Sequence, residues 1–409
     1  MKGLLKKGAA LLMAAALTMG FAACQTDEPA PPAAPQAPAE TVTLRVWASQ
    51  DDQDITKSLV DAFIAANPDK QYDIQLGVVG EPDAAARYLE DPTAAADVFA
   101  FPNDQLYTLT NAGALYEVTL NKDAIIAANV AGAIESASVG DALYAYPMTA
   151  DNGYFLYYDK SVISEEQVQT LDGILEACNA AGKQFLMDIS NGWYVASFFL
   201  GAGGSLELTE DGAQLCDFNN ETGVKVGEAI FALCGDEAYL DGDDAVLQGG
   251  MGDTIAAGVS GTWNAASMEE KLGENYAATK LPTFTLDGEQ VQMSSFGGYK
   301  LIGVNSQTKF PLDAMALAEW LTNEESQLTR YEVRQLGPSN INAASSDAVL
   351  ANLPLAALSL QSQFASSQTN VLGGYWTPAE AFGQAMVNQD TSQTIPEFLD
   401  MMVEQITLQ

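Results

Sequence analysis

The feature that most constrains this chain is the regular alternation of short apolar runs with amphipathic stretches after residue 40. The apolar runs are rich in β-branched residues and predict buried strands, whereas the amphipathic stretches carry apolar residues at helical spacing. In the first part of the chain the predicted strands cover 41–48, 72–79 and 97–101, and the predicted helices cover 54–66 and 103–112. This alternation predicts an α/β protein with mainly parallel sheets flanked by helices.

The alternation continues to the C-terminus, with one break near the middle of the chain. Residues 143–147 and 154–158 are predicted as two strands, and residues 148–153 (MTADNG) as an interruption between them. We expect this interruption to mark the point where the chain passes from one lobe to another.

Charge and composition exclude several classes of function. The chain carries 17 Lys plus Arg and 54 Asp plus Glu, which gives a net charge of −37. Binding to nucleic acid or to an anionic lipid surface needs a basic face, so the charge argues against both. The sequence contains no His, which removes His-based catalytic triads and the commonest metal ligand. We therefore expect neither a metal nor a cofactor.

The first 24 residues have the pattern of a bacterial export signal. Three lysines precede the apolar stretch 8–23, which is shorter than the roughly 20 residues needed to span a membrane. The stretch ends in FAAC, which resembles a lipobox with Phe in place of the usual Leu. The prediction is a signal peptide over 1–23, a lipid on Cys24 that anchors an extracytoplasmic protein to the cell membrane, and a Pro- and Ala-rich tether over 24–40. Ordinary cleavage beside an incidental cysteine is the alternative.

The order of several segments resembles the ABC-transporter solute-binding proteins of the maltose/maltodextrin type, over nearly all of residues 41–409. The segments that carry the resemblance are LRVWAS (44–49), DVFAFPNDQLYTLTNAGALYEV (97–118), LYAYPMTADNGYFLYYDKSV (143–162), MDISNGWYVASFFLGAGG (187–204), GVSGTWNAASM (258–268), KLPTF (280–284), GGYKLIGVN (297–305), LAEWLTNEESQ (317–327), LGPSN (336–340) and GGYWTPAEAF (373–382). No single segment is a specific motif, and the resemblance depends on their order and spacing. Gln105 stands where the maltose-type protein has a basic residue.

The resemblance implies the type II periplasmic-binding-protein fold, in which two α/β lobes enclose a ligand cleft. One lobe is then expected from 41–148 plus 297–338, and the other from 149–296 plus 339–409. The implied ligand is an oligosaccharide, expected to be a maltooligosaccharide. The implied protein partners are the permease subunits of an ABC importer. A monomer without enzymatic activity is expected.

The resemblance also implies a set of ligand-binding residues, and sugar chemistry supports the choice of residue types. Aromatic rings cover the C–H faces of a neutral sugar, and carboxylates or amides bind its hydroxyl groups. Side chains at the ends of elements lie on the cleft rim of an α/β sheet. The predicted binding residues are Asp51, Asp52, Phe101, Asp104, Asp151, Trp193, Tyr194, Trp263, Tyr375 and Trp376.

Two other functions remain open at this stage. A binding protein for a cation such as a polyamine would also use an acidic cleft with aromatic side chains, through cation–π contacts. A secreted glycosidase needs only two suitably spaced carboxylates. The cysteines of the body, Cys178, Cys216 and Cys234, lack CxxC spacing, and both a Cys216–Cys234 disulfide and free thiols are consistent with the sequence.

Overall fold

The computed structural model describes residues 41–209 and 212–408, so the predicted signal peptide, Cys24 and the tether lie outside the described residues. The strands are β1 (Thr41–Ala48), β2 (Gln71–Val78), β3 (Val98–Pro102), β4 (Ser138–Val139), β5 (Ala142–Leu143), β6 (Ala145–Gly153), β7 (Phe155–Asp159), β8 (Gln184–Leu186), β9 (Leu206–Leu208), β10 (Gln214–Cys216), β11 (Tyr239–Leu240), β12 (Ile255–Ser260), β13 (Tyr276–Thr279), β14 (Thr283–Leu286), β15 (Glu289–Gln292), β16 (Ser295–Val304) and β17 (Ala365–Ser367). The α-helices are α1 (Gln53–Ala66), α2 (Ala84–Glu90), α3 (Leu106–Asn111), α4 (Lys122–Ala128), α5 (Ala131–Ser136), α6 (Leu171–Ala181), α7 (Gly192–Gly201), α8 (Glu221–Cys234), α9 (Asp244–Gly250), α10 (Ala265–Leu272), α11 (Pro311–Thr322), α12 (Glu324–Arg334), α13 (Ile341–Ala344), α14 (Asp347–Leu350), α15 (Leu353–Ser362), α16 (Trp376–Val387) and α17 (Ile395–Thr407).

The first large sheet has the strand order β2-β1-β3-β16-β6, and β17 pairs with the start of β16. Strands β1, β2 and β3 are parallel, and β16 runs antiparallel to both of its long neighbours. All five residues of β3 are buried because the strand lies inside the sheet and both of its faces are covered.

The second large sheet repeats this arrangement, with the strand order β11-β8-β12-β7-β13. Strands β11, β8 and β12 are parallel, and β7 runs antiparallel to β12 and β13. The first sheet thus combines parallel strands with the reversed strands β16 and β17, and the second with the reversed strand β7. The predicted α/β class with mainly parallel sheets is confirmed.

Two extensive apolar cores accompany the two sheets. The first core is built from buried residues between positions 42 and 148 and between 301 and 321. The second takes its buried residues from 154–296 and from 371–406. We call the parts around these cores the first and second lobes; their predicted boundaries at 148, 296 and 338 stay a prediction.

Strands β6 and β16 run from one core to the other as an antiparallel pair, and we call them the hinge strands. Their register joins Gly153 to Gly297 at one end and Ala145 to Gly303 at the other, with irregularities around Lys300. The sequence prediction of an interruption over 148–153 is wrong, because these residues continue strand β6 by pairing with β16. In the described ranges no helix is long and apolar enough to cross a membrane.

Candidate functional site

A cleft with a cavity volume of about 630 Å³ lies between the two lobes. Its walls come from the segments that follow strands β1, β3 and β12 and from the starts of helices α7, α9 and α16, where α/β proteins commonly bind ligands. Seven of the ten predicted binding residues line it: Asp51, Asp52, Asp104, Trp193, Tyr194, Trp263 and Trp376. A second groove of about 1190 Å³ runs along β6 and β16, but its lining is largely Gly, Ala and Ser and includes no Trp.

Half-buried tryptophans form the aromatic wall of the cleft. Trp193 lies in the first turn of helix α7, whose N-terminus is capped by the side chain of Asn191 accepting a hydrogen bond from the Trp193 N–H at 2.9 Å. The rings of Trp193 and Trp263 have centroids 5.8 Å apart and planes inclined by 37°. Trp376 begins helix α16 and lies edge-on to Phe296 at 5.9 Å. Local capping and packing therefore hold the wall in place.

Trp263 is fixed from several sides. It lies in a short 3₁₀ helix directly after strand β12, and its Nε1–H donates to Asp244 Oδ2 at 2.8 Å. Asp244 Oδ1 in turn accepts hydrogen bonds from Ser260 Oγ at 2.7 Å and Asn264 Nδ2 at 2.6 Å. The Lys300 ammonium lies 5.3 Å from the centroid of the Trp263 ring. This tryptophan is oriented before any ligand arrives.

Carboxylates and one arginine form the wall contributed by the first lobe. Asp51 and Asp52 immediately precede helix α1, and Asp52 is buried. Arg334, at the end of α12, donates from Nε to Asp52 Oδ1 at 3.0 Å and lies 3.6 Å from Asp51. The arginine neutralises part of the charge of this acid pair and holds Asp52 at the base of the cleft.

Gln368 connects the two walls through a chain of hydrogen bonds. Its side-chain amide donates to Asp104 Oδ1 at 2.7 Å, and its carbonyl oxygen accepts from Trp193 Nε1 at 3.0 Å and from Asn152 Nδ2 at 3.1 Å. Burial raises the pKa of Asp104 to about 7, although the hydrogen bond from Gln368 favours the ionised form. The acid of the first lobe and the tryptophan of the second lobe are thus joined through one amide.

Three predicted binding residues do not line the cleft. Phe101 is fully buried in the first core, 5.7 Å from Phe99, because β3 is an interior strand covered on both faces. Tyr375 is also buried, and its hydroxyl donates to the Gly192 carbonyl at 2.9 Å, so it supports the start of α7. Asp151 lies in hinge strand β6 and is buried as well.

The Asp151 carboxylate has a bonding role within the protein. Its Oδ2 accepts from Thr262 Oγ1 at 2.6 Å and from the Gly337 N–H at 2.5 Å. The expectation that Phe101, Asp151 and Tyr375 face a ligand is therefore corrected: each packs behind the cleft wall. Of these three, Asp151 contacts the residue beside Trp263 and so joins the hinge strand to the aromatic wall.

Sequence reasoning missed several cleft residues. The clearest signal belongs to Lys300, a lysine in the middle of the otherwise apolar run GGYKLIGVN. Gln368, Glu81 and Asp244 carry no such signal, because each begins a helix whose neighbours become known only in three dimensions. Asn152 lies inside strand β6, in the segment that was predicted as an interruption. A search for charged residues inside predicted buried strands would have found Lys300.

The three cysteines of the described body are free thiols. Burial raises the pKa of each thiol to about 12, which keeps all three protonated and unreactive at neutral pH. Among the residues that the structure describes, no group of three or more His, Cys, Asp or Glu side chains is arranged to hold a metal ion. The side chains that line the cleft offer indole rings for stacking and carboxylates and amides for hydrogen bonding.

Two α/β lobes around an aromatic and polar cleft define the class of two-lobed solute-binding proteins. Residues 58–357 match the family described as bacterial extracellular solute-binding protein. The galactooligosaccharide-binding protein of Bacillus subtilis (strain 168) is 29% identical over an alignment of 404 positions, which covers 92% of this chain and 91% of that protein.

Solved structures agree with this match. A structure determined with acarbose has a TM-score of 0.82 and 29% identity, and the match covers 90% of this chain and 99% of that one. The unliganded maltodextrin-binding protein MalE1 from L. casei BL23 has a TM-score of 0.73 and 26% identity, with 90% and 99% covered.

The chain belongs to the family of bacterial extracellular solute-binding proteins. It is the binding component of an ABC transport system and not an enzyme, and its family acts outside the cytoplasm. The predicted two-lobed binding-protein fold is confirmed.

Proposed function

We propose that this protein captures an uncharged oligosaccharide in the cleft and presents it to the permease of an ABC importer. The observation that supports this most is the convergence of Trp193, Trp263 and Trp376 opposite Asp51 and Asp104. Flat apolar rings facing a rim of acids and amides match the two surfaces of a pyranose, its C–H faces and its hydroxyl edge.

The cleft geometry also suggests how capture is signalled. A sugar that stacks on Trp263 of the second lobe and bonds to Asp104 of the first lobe contacts both lobes when they approach each other. Such differential contact favours the closed arrangement, and strands β6 and β16 are the segments about which the lobes would rotate. The permease would then recognise the closed form.

Maltooligosaccharides and galactooligosaccharides are the two ligand classes to compare. The maltose-type resemblance of the sequence favours the first, and the name of the Bacillus subtilis relative favours the second. We propose maltooligosaccharides as the primary ligand, with uptake by a permease that accepts the closed form.

We also propose that a lipid on Cys24 keeps the protein at the cell membrane. The support is the FAAC sequence after an apolar stretch preceded by lysines. Residues 24–40 would then separate the folded body from the membrane surface.

Isothermal titration calorimetry with maltotriose, galactotriose and spermidine tests the proposed ligand class. We expect a measurable Kd for a trisaccharide and none for spermidine, with maltotriose binding more tightly than galactotriose. Tighter binding of galactotriose would reassign the sugar, and binding of spermidine alone would replace the proposed function with polyamine capture. Reducing-sugar release from the same samples over several hours should stay at the level of buffer.

A further inference from the structure

Lys300 lies at the junction of the two lobes. It belongs to hinge strand β16, where it pairs with Pro102 of β3 and Thr149 of β6. Its half-buried side chain lines the cleft, and its Nζ lies 5.3 Å from the centroid of the Trp263 ring in the opposite lobe. A cation is thus held beside the aromatic surface on which a sugar would stack.

The Lys300 ammonium forms no hydrogen bond or salt bridge with a residue that the structure describes. Arg334, the other basic residue lining the cleft, is by contrast bonded to Asp52 at 3.0 Å. Burial disfavours the charged form of Lys300, but the negative charges of Glu81, Asp151 and Asp52 outweigh burial and raise the pKa of Lys300. Lys300 is therefore a charged group whose three N–H donors are not used by any residue of 41–209 or 212–408.

These donors lie where the hydroxyl rim of a stacked sugar would come. A pyranose on Trp263 places hydroxyl and ring oxygens around the edge of the indole, and a charged donor forms stronger hydrogen bonds to such oxygens than a neutral donor. Lys300 disfavours a cationic solute at the same position. Its ammonium already occupies the cation site beside Trp263 and repels a second positive charge.

We propose that Lys300 is a ligand-binding and specificity-determining residue, which donates hydrogen bonds to the hydroxyl groups of the sugar on Trp263 and excludes cations from that position. This inference rests on the proposed function. It goes beyond it by naming the group that selects an uncharged, hydroxyl-bearing ligand in an otherwise acidic cleft.

Lys280 provides a matched control, because its Nζ lies 5.7 Å from the centroid of the Phe364 ring, outside the cleft. Calorimetry compares Lys300→Met, Lys300→Arg and Lys280→Met with the wild type, using maltotriose, galactotriose and spermidine. We expect roughly tenfold weaker trisaccharide binding in Lys300→Met, a change of less than about threefold in Lys300→Arg, and no change in Lys280→Met. An unchanged trisaccharide Kd in a folded Lys300→Met protein overturns the inference while leaving the proposed function in place.

A second measurement on the wild type does not depend on the folding of a variant. Lysine acetylation by the N-hydroxysuccinimide ester of acetic acid is followed at Lys300 and Lys280 by mass spectrometry, with and without saturating trisaccharide. We expect the sugar to slow acetylation of Lys300 several-fold and to leave Lys280 unchanged. Equal acetylation rates at Lys300 with and without a sugar that binds would assign Lys300 a purely structural role as a counter-ion. If neither trisaccharide binds the wild type, the proposed function fails together with this inference.

Discussion

Trp263 illustrates, at the scale of a single residue, how the fold prepares the cleft. Its indole N–H is bonded to Asp244, its ring lies close to Trp193, and the Lys300 cation faces it. A side chain held in one orientation loses little conformational freedom when a ligand stacks on it. Ordering the ring in advance therefore favours tight binding.

Replacement of Trp263 by Ala should weaken oligosaccharide binding roughly tenfold or more, because the stacking surface is lost. The fold should persist, since the ring is only half buried at the cleft wall. Calorimetry with the trisaccharide that the wild type binds checks this. Trp320→Phe is the control: Trp320 packs on Phe63 and bonds to the Leu59 carbonyl in the first lobe, so its loss should lower the melting temperature without changing Kd. An unchanged Kd in folded Trp263→Ala would refute the assignment.

The raised pKa of Asp104 predicts the direction in which the stability of the fold changes with pH. Burial raises its pKa in the folded protein to about 7, from an ordinary value of 3.8. Between these values the folded state binds more protons at this group than the unfolded state, so the contribution of Asp104 to stability decreases as pH rises from about 4 to about 7.

Asp104→Asn removes this titration while keeping an oxygen that can accept the hydrogen bond from Gln368. The free energy of unfolding of the variant, relative to the wild type, should therefore be higher at pH 8 than at pH 5, by on the order of 1 kcal/mol. Chemical denaturation at both pH values measures the difference. If the free energies of unfolding of variant and wild type differ by the same amount at pH 5 and pH 8, the pKa of Asp104 is not raised in the folded protein.

At the residue scale, position within an element decided which of the predicted residues line the cleft. Trp193 and Trp376 lie in the first turns of helices and Trp263 follows a strand, and all three line the cleft. Phe101 is also near a strand end, yet it is buried. Strand β16 pairs with β3 at this residue and makes β3 an interior strand of the sheet. That pairing brings together residues about 200 positions apart in the chain, and no local pattern encodes it.

At the scale of elements, the turn that follows strand β12 determines where the Trp263 ring lies in the aromatic wall. Gly261 lies in this turn, and a Cβ built on it would come 2.0 Å from Cζ3 and 2.1 Å from Cη2 of Trp263. The indole therefore lies directly against the glycine backbone, and the turn has no space for a side chain.

Gly261→Ala should displace the Trp263 ring and weaken trisaccharide binding several-fold, although every predicted binding residue is still present. Gly249→Ala in α9 is the matched control, because an added Cβ there meets no described atom within 4 Å and helix propensity favours Ala by about 0.5–1 kcal/mol. Measuring the trisaccharide Kd and the melting temperature of both variants tests this prediction. Equal affinities in the two variants would mean that the position of the ring does not control binding.

The hinge strands show where element prediction fails. Residues 148–153 contain Thr, Asp, Asn and Gly, which are typical of a turn, yet they form the end of β6. Backbone pairing with β16 and the bonds to Asp151 stabilise the extended conformation in spite of local propensity. Helix α1 was predicted to within one residue of its observed bounds, because its apolar spacing is a local property of the sequence.

At the scale of the whole molecule, two apolar cores connected by β6 and β16 place the two walls of the cleft within one chain. Bonds through Gln368 and Asp151 join the lobes near the hinge, while the remaining cleft surface separates the acids from the tryptophans. The sequence could establish two lobes through the order of its segments. It could not establish which side chains of each lobe meet across the cleft, because that depends on the relative orientation of two separately packed bodies.

Cys24→Ser should release the whole protein from the membrane fraction, because the thiol that would carry the lipid is removed. Cell fractionation followed by immunodetection measures the distribution. Cys234→Ser is the control, since this cysteine is a free thiol in the folded body, and its variant should stay with membranes. Membrane association that persists in Cys24→Ser would contradict lipid anchoring.

The most direct test is a crystal structure of the protein grown with the trisaccharide that it binds most tightly in calorimetry. We expect pyranose rings against the indoles of Trp193, Trp263 and Trp376, with sugar hydroxyl groups within hydrogen-bonding distance of Asp104 and Lys300. A trisaccharide bound elsewhere on the surface, with the space between the two lobes free of sugar, would contradict it.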